Sequence, residues 1–350
     1  MQNKINQLPE DDLINIQGRI DRLWEDLRDK SLFLTGGTGF FGIWFLESFA
    51  KANIELGLNS NVMVLTRDPE SFCDKALHLA KNPAISFYKG DIRTFVFPKG
   101  KFSHIIHGAM TSAEETFYKS QSPLEKYDTI VGGTRRCLEF AAQSGTEKFL
   151  LLSSGPVYGR QPSELTHIAE DYCGAPLTTD VHFDFSMLGE GKRVAEMLST
   201  LYAQEHGFTL KIARCFSFVG PGLPLNLHYA IGNFMNNILQ QNPIEILGDG
   251  SAVRSYLYMS DTMVWLWSLL LGQAKGVYNV GSDNSYSIAE VANIVAKIGK
   301  QPCVVFNQTK KIKGAADLYV PSVRKIKVQL GLQQTVGLES AIYKTLNYYK

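Results

Sequence analysis

Thr35-Gly36-Gly37-Thr38-Gly39-Phe40-Phe41-Gly42 follows the apolar run Ser31–Thr35 and opens an apolar stretch from about Phe41 to Ala52. The run reads as a buried strand and the stretch as a helix, with Asn61–Thr66 as the next strand. Glycines at 36, 39 and 42 permit a tight turn, let backbone amides approach an anion, and let the helix pack close on the strand. At the head of a strand–turn–helix–strand unit this spacing points to a dinucleotide whose pyrophosphate rests on the helix N-terminus. Gly36, Thr38, Gly39, Phe40, Phe41 and Gly42 are the expected contacts.

Working outward, short apolar runs recur at Ile85–Tyr88, His104–His107, Lys148–Ser153 and Leu210–Ala213, alternating with helical stretches such as Asp128–Ser144 and Glu190–His206. Such alternation predicts an α/β fold, a doubly wound parallel Rossmann sheet covered by helices on both faces. Beyond residue 216, loops rich in Gly, Pro and Asn separate shorter elements at Ile231–Gln240, Thr262–Leu271 and Ser287–Ile298, which reads as a smaller C-terminal α/β lobe over the substrate. The expected organisation is an N-terminal helical extension over 1–30, a dinucleotide-binding domain over 31–216 to which the chain returns at about 255–282, and a substrate lobe over 217–350. In the extension, Leu13, Ile16, Ile20, Leu23, Trp24 and Leu27 recur at steps of three and four, the pattern of an amphipathic helix covering an edge or a subunit contact.

Composition bounds the partners. The chain has 350 residues, 45% hydrophobic and 20% charged, enough for a large core and far from disordered or collagen-like sequences. Thirty-five Lys and Arg against 34 Asp and Glu leave a formal charge of +1, so no bulk field draws the protein to nucleic acid or acidic lipid. Any anion must be held by a local site. Cys73, Cys137, Cys173, Cys215 and Cys303 form no CxxC pair and have no histidine at zinc spacing, so reduced, mostly buried thiols and no metal are expected. The longest apolar run, Met263–Leu271, is less than half of the ~20 residues a membrane span needs. With no apolar segment after a basic start, the N-terminus is not a secretory signal, and the cytoplasm is the expected location.

The GxxGxxG spacing resembles the short-chain dehydrogenase/reductase superfamily, in its extended branch acting on nucleotide sugars, the NAD-dependent epimerase/dehydratase family. The resemblance implies NAD or NADP as cofactor. The second strand ends in Thr66-Arg67-Asp68, with Thr66 at the place where the family carries an acidic ribose ligand. Arg67 tilts the choice toward NADP, while Asp68 could still select NAD. Gly90-Asp91-Ile92 resembles the family's adenine-contacting turn, and His107-Gly108-Ala109 its small-residue loop beneath the cofactor, which adds Asp91, Ile92, Gly108 and Ala109 to the expected cofactor contacts.

Leu151-Leu152-Ser153-Ser154-Gly155-Pro156-Val157-Tyr158-Gly159 resembles the family's fifth strand and active-site turn. On this match Ser154, four before Tyr158, is the catalytic Ser or Thr that holds the sugar's reacting oxygen, and Tyr158 lies beside the substrate. Family members that dehydrate the sugar carry an Asp-Glu pair immediately after this residue, and the related decarboxylases a Glu; here those places are Gly155 and Pro156, which carry no proton. Leu188-Gly189-Glu190-Gly191-Lys192 aligns with the family's YxxxK motif, so Lys192 is present and Leu188 stands where the proton-exchanging tyrosine belongs. Tyr158, Tyr172, His182, Asp184 and Glu190 are the nearby groups that could carry the proton instead.

Arg214–Pro221 resembles the family's RxxNxYGP segment, with Ser217 and Val219 as departures, and Gly248–Asp261 resembles GDGxxxRDxxYVxD. The latter implies that Arg254 grips a sugar nucleotide's diphosphate, since a guanidinium pairs bidentately with phosphate oxygens. Asn233 is a further expected substrate contact. Thr129–Thr134 resembles NVxGT with Ile130 in place of the Asn, and Tyr278-Asn279-Val280-Gly281 a late strand returning to the sheet. Together these motifs imply an NAD(P)-dependent enzyme acting on a nucleoside-diphosphate sugar. Epimerisation through oxidation at C4 leads, with keto-sugar reduction, dehydration, or a cofactor-binding module without turnover as alternatives. Helices near Pro123–Ser144 and Leu188–His206 resemble the family's four-helix dimer interface, so a homodimer is expected.

Overall fold

A computed structural model describes residues 4–110, 122–179, 184–227, 229–300, 303–307 and 317–350. The N-terminal periodicity forms α1 (Glu10–Arg19), which breaks at Ile20 into a 3-10 turn over Asp21–Leu27. Then come β1 (Ser31–Thr35), α2 (Phe40–Glu55), β2 (Asn61–Thr66), α3 (Pro69–Lys75), α4 (Leu77–Ala80), β3 (Ile85–Lys89) and β4 (His104–His107). After α5 (Pro123–Gln143) follow β5 (Lys148–Ser154), a 3-10 turn at Gly155–Tyr158, α6 (Asp184–His206) and β6 (Thr209–Cys215).

These strands build a seven-stranded parallel sheet in the order β3-β2-β1-β4-β5-β6-β11, where β11 is Gly276–Val280 and pairs with β6. The strands are apolar on both faces because helices cover both: Ile105 and Phe149 face a cluster with Leu138 and Ala195, while Leu34 and Ile106 face one with Phe45 and Leu266. Strand order reverses between β1 and β4. A crevice at the C-terminal ends of these two strands is where an open α/β sheet takes its ligand.

From β6 the chain runs through β7 (Phe218–Val219), α7 (Ala230–Leu239), β8 (Ile244–Leu247), β9 (Val253–Ser255) and β10 (Leu257–Tyr258) to α8 (Met259–Leu271). Every residue of α8 is buried, so the longest apolar run is a helix under the sheet. No helix among the described residues is long and apolar enough to cross a membrane. Beyond β11 lie β12 (Ser285–Ser287), α9 (Ile288–Gly299), β13 (Val304–Asn307), β14 (Leu318–Tyr319), α10 (Arg324–Leu330) and α11 (Leu338–Tyr349). α7, α9 and α11 share a second core around Phe234, Met235, Val291 and Ile342, and β9 sits between β12 and β14 in a small sheet. The fold is therefore the doubly wound sheet with a smaller C-terminal α/β lobe.

Two expectations need correcting. The N-terminal helix caps no sheet edge: Ile16, Trp24 and Leu27 are fully buried in the main core, with the Trp24 ring 4.8 Å from that of Trp267 on α8. The five thiols are free, but only Cys137 and Cys215 are buried, whereas Cys173 and Cys303 are exposed.

Candidate active site

The glycine loop is built against its neighbours in a way that leaves little choice of residue. Gly36 has φ +76°, and a Cβ there would stand 2.7 Å from the Gly108 carbonyl group. At Gly42 a Cβ would lie 2.2 Å from the Gly37 carbonyl carbon, so the first turn of α2 presses directly on the loop. Gly39, by contrast, is exposed, and a Cβ would meet nothing closer than the Gly36 carbonyl oxygen at 3.6 Å. No side chain caps α2, so the amides of Phe40, Phe41 and Gly42 have no partner inside the helix. An uncapped helix N-terminus behind an open glycine is a cradle for a pyrophosphate, and the residues fit a dinucleotide. The Phe41 ring meets Phe218 at 4.9 Å, and Trp44 Nε1 donates to the Pro221 carbonyl, which ties the Gly-Pro turn of the C-terminal lobe to the cofactor helix.

Beneath this cradle a buried chain of hydrogen bonds locks β1, β4 and α5 together. Ala109 N–H donates to Thr35 Oγ1, which lies 2.8 Å from His107 Nδ1; His107 Nε2 lies 3.0 Å from Thr134 Oγ1, and that hydroxyl donates to the Ile130 carbonyl. Since Thr134 spends its proton on Ile130, it accepts from His107, which fixes the proton on Nε2 and leaves Nδ1 to accept from Thr35. The imidazole is neutral: burial, helped by the charge of Lys192, pulls its pKa down to about 3. Sequence reasoning assigned Gly108 and Ala109 to the cofactor but missed Thr35, His107 and Thr134 as their support; a His flanked by apolar strand residues was the available signal.

At the end of β2, Asp68 accepts from Ser71 N–H and caps α3, so its carboxylate serves a helix. Asp91 holds the Arg93 guanidinium with both oxygens at 2.9 Å, and this hydrogen bonding keeps its pKa below the ordinary carboxylate value. Ile92 is buried against Gly133 of α5. Its side chain packs into the core between the sheet and α5.

Ser154 ends β5 in extended backbone, one strand from β4. Lys192 on α6 is almost fully buried and donates to the Leu152 carbonyl oxygen at 2.7 Å, the only acceptor it has among the described residues. Burial lowers its pKa to about 8. The two remaining donors of the ammonium suit ribose hydroxyls. α6 approaches the active-site turn closely because Gly189 allows it: a Cβ there would sit 2.4 Å from the Pro156 carbonyl oxygen. Leu188 is partly buried and packs with Met187 on the cluster formed by β4, β5 and α5, so an apolar side chain fills the place aligned with the tyrosine.

Among the described residues, the candidate proton carriers are engaged elsewhere. Tyr158 is 2% exposed, donates to Asn279 Oδ1 at 2.7 Å and lies under the Arg214 guanidinium; burial pushes its pKa up to about 12. This corrects its expected place beside the substrate: its hydroxyl is spent on holding β11 to the active-site turn. Tyr172 packs beside Tyr158, and Glu190 pairs with Arg193 on the same helix. His182 lies outside the described residues, as does the side chain of Asp184. Behind the turn, Glu196 accepts from Ser153 Oγ and pairs with Arg214 at 2.7 Å, an ion pair the sequence reading did not anticipate.

From the C-terminal lobe, Arg254 on β9 is partly buried, donates to the Asp317 backbone oxygen and pairs with its carboxylate at 2.5 Å. Asn233 is half-buried in the first turn of α7. Tyr319, in register with Arg254 on the neighbouring β14, reaches across to the end of β5 and was absent from the expected site. A two-residue strand gave no periodicity by which to find it. Among the described residues no three His, Cys, Asp or Glu side chains group as metal ligands.

The profile of the NAD dependent epimerase/dehydratase family matches residues 32–281. Among curated proteins, UDP-glucuronic acid decarboxylase 1 of Arabidopsis thaliana is 26% identical over 95% of this chain and 73% of its own length. UDP-N-acetylglucosamine 4-epimerase from Methanobrevibacter ruminantium, solved with UDP-N-acetylmuramic acid, superposes with a TM-score of 0.78 at 17% identity, over 92% of this chain and 98% of that one. A mutant UDP-glucuronic acid 4-epimerase from Bacillus cereus, in complex with UDP-4-deoxy-4-fluoro-glucuronic acid and NAD, gives 0.73 at 22% identity, over 91% and 98%.

Proposed function

Because the chain belongs to the NAD dependent epimerase/dehydratase family, we propose that it is an NAD-dependent enzyme that epimerises a nucleoside-diphosphate sugar through oxidation at C4. One observation carries the choice of reaction: the turn after Ser154 is Gly155-Pro156, both buried and without an ionisable group, where dehydration or decarboxylation calls for a carboxylate. Similar proteins include UDP-glucuronic acid decarboxylases and nucleotide-sugar 4-epimerases, and only the second chemistry does without an acid at this point.

In this reading bound NAD would supply a reversible hydride acceptor for C4, and the residues of the site would hold and orient it. The amides of Phe40, Phe41 and Gly42 hold the pyrophosphate, and Lys192 donates to the nicotinamide ribose from a position where its charge survives below about pH 8. Ser154 holds the oxygen on C4. Arg254, already anchored by Asp317, aims its guanidinium at the diphosphate from the covering lobe. NAD is the cofactor of this reading, because the family is NAD dependent and a similar structure holds NAD; Asp68 is engaged as a cap, and Arg67, exposed at the same strand end, is the group that would favour NADP. The same reading includes a homodimer through α5 and α6, whose outer faces expose Leu124, Met197 and Leu201, and a cytoplasmic location.

Incubation of the purified protein with NAD and a panel of nucleotide sugars, followed by separation of the released sugars, tests the proposal. A C4 epimer formed without net accumulation of reduced cofactor is expected. Net consumption of reduced cofactor on a keto sugar would identify a reductase, and tight cofactor binding with no sugar converted would identify a module without turnover.

A further inference from the structure

We propose that Tyr319 carries the proton in this site, standing in for the tyrosine that Leu188 has displaced. The inference rests on the C4-oxidation reading above and adds a residue that no motif supplies. Tyr319 arrives from the opposite lobe on β14, held in register beside Arg254, with the Arg254 guanidinium 6.0 Å from its ring centre. Its ring packs tilted against Phe216 at 4.7 Å between centroids, which helps fix the direction of the hydroxyl. That hydroxyl meets the active-site turn: a Cβ on Gly155, the residue after Ser154, would come within 2.5 Å of Tyr319 Oη, and the hydroxyl donates to the Cys215 carbonyl oxygen at 3.5 Å.

Two departures from the family's pattern thereby become one arrangement. The place immediately after Ser154, where dehydratases carry a carboxylate, is a glycine, and the room left by the missing side chain is filled by a phenol. Any side chain at 155 would evict that phenol. The proton carrier lost from α6 is thus recovered from β14, within reach of the residue that holds the reacting oxygen.

The step balances with the groups already named. The phenol first gives its proton to solvent; in the oxidising half, hydride then leaves C4 for bound NAD while the C4 hydroxyl proton passes by way of Ser154 to the Tyr319 phenolate. In the returning half, hydride comes back to the C4 carbon and the phenol gives its proton to the keto oxygen. No other oxidant or acid is consumed. In the resting chain burial keeps the phenol protonated, opposed by the nearby Ser154 side chain, the charge of Arg254 and the Gly155 amide. The ionisable groups facing it are Arg254 from β9 and Cys215 from the end of β6.

Tyr319→Phe keeps the ring on Phe216 and removes only the hydroxyl. Conversion of the nucleotide sugar is expected to fall by about 10²–10⁴ in kcat, with NAD and sugar-nucleotide affinities, read by calorimetry, within about twofold of wild type. Wild-type conversion with kcat kept within about threefold in the variant would overturn the inference while leaving the enzyme reading intact; absence of conversion by wild type itself would overturn both. A fluorinated tyrosine placed at 319, which lowers the phenol pKa, is expected to move the corresponding limb of the kcat–pH profile to lower pH. A limb that stays in place would assign the proton to another group.

Discussion

His107 carries no chemistry to the substrate in this account, yet the geometry of the cradle depends on it. Its two nitrogens hold Thr35 and Thr134, and Thr35 in turn holds the Ala109 amide at the floor of the crevice. A histidine kept neutral at pKa about 3 against an ordinary value near 6.5 binds its proton only in the unfolded chain across that interval. Stability from this residue is therefore complete above about pH 6.5 and declines as pH falls, by at most about 1.4 kcal/mol per pH unit. In chemical denaturation between pH 7.5 and 4.5, His107→Asn is expected to start less stable than wild type and to lose less on acidification; parallel losses would mean that the buried imidazole does not govern the acid limb. The local motifs around it were legible because each is a short run with its own physics: glycines demanded by φ +76° and by a 2.2 Å approach announce themselves in sequence. Tyr319 was not legible, since it enters the site by strand pairing from the far lobe rather than through a local pattern.

At the scale of elements, strand and helix positions followed from periodicity wherever a segment had one buried environment. β1, β2 and β4 begin and end where the apolar runs do. The N-terminal stretch misled because its stripe continues through Ile20, where the backbone leaves the α-helix and resumes as a 3-10 turn. Its docking also uses buried charge: Asp12 accepts from the Tyr258 hydroxyl and pairs with Lys344 of α11, and Arg19 pairs with Asp261 of α8. Hydrophobic spacing cannot reveal such pairings, because a buried carboxylate looks like a surface one until its partner is known. The outer faces of α5 and α6 pose the opposite case, with Leu124, Met197 and Leu201 left 77%, 56% and 52% exposed on a pair of helices that pack against each other. Sedimentation equilibrium at micromolar concentration is expected to give a dimer, and Met197→Glu combined with Leu201→Glu a monomer; a wild-type monomer would count against this face as an interface.

For the whole molecule, a chain of net charge +1 holds its anions by built sites rather than by a field. In the proposed reaction the α2 N-terminus serves the cofactor from one lobe and Arg254, paired with Asp317, the diphosphate from the other. Between them Tyr319 of the C-terminal lobe meets the Ser154 turn, whose other side is held by Arg193 and Arg214 of the sheet domain. The proposed chemistry thus requires the two lobes to meet across one sugar, with hydride leaving C4 and returning to it. A nucleotide sugar deuterated at C4, converted with unlabelled NAD, tests this most directly by mass spectrometry of the product. Full retention of deuterium in the epimer is the predicted result. Epimer in which the C4 deuterium has exchanged with solvent would contradict hydride storage, and with it the central claim.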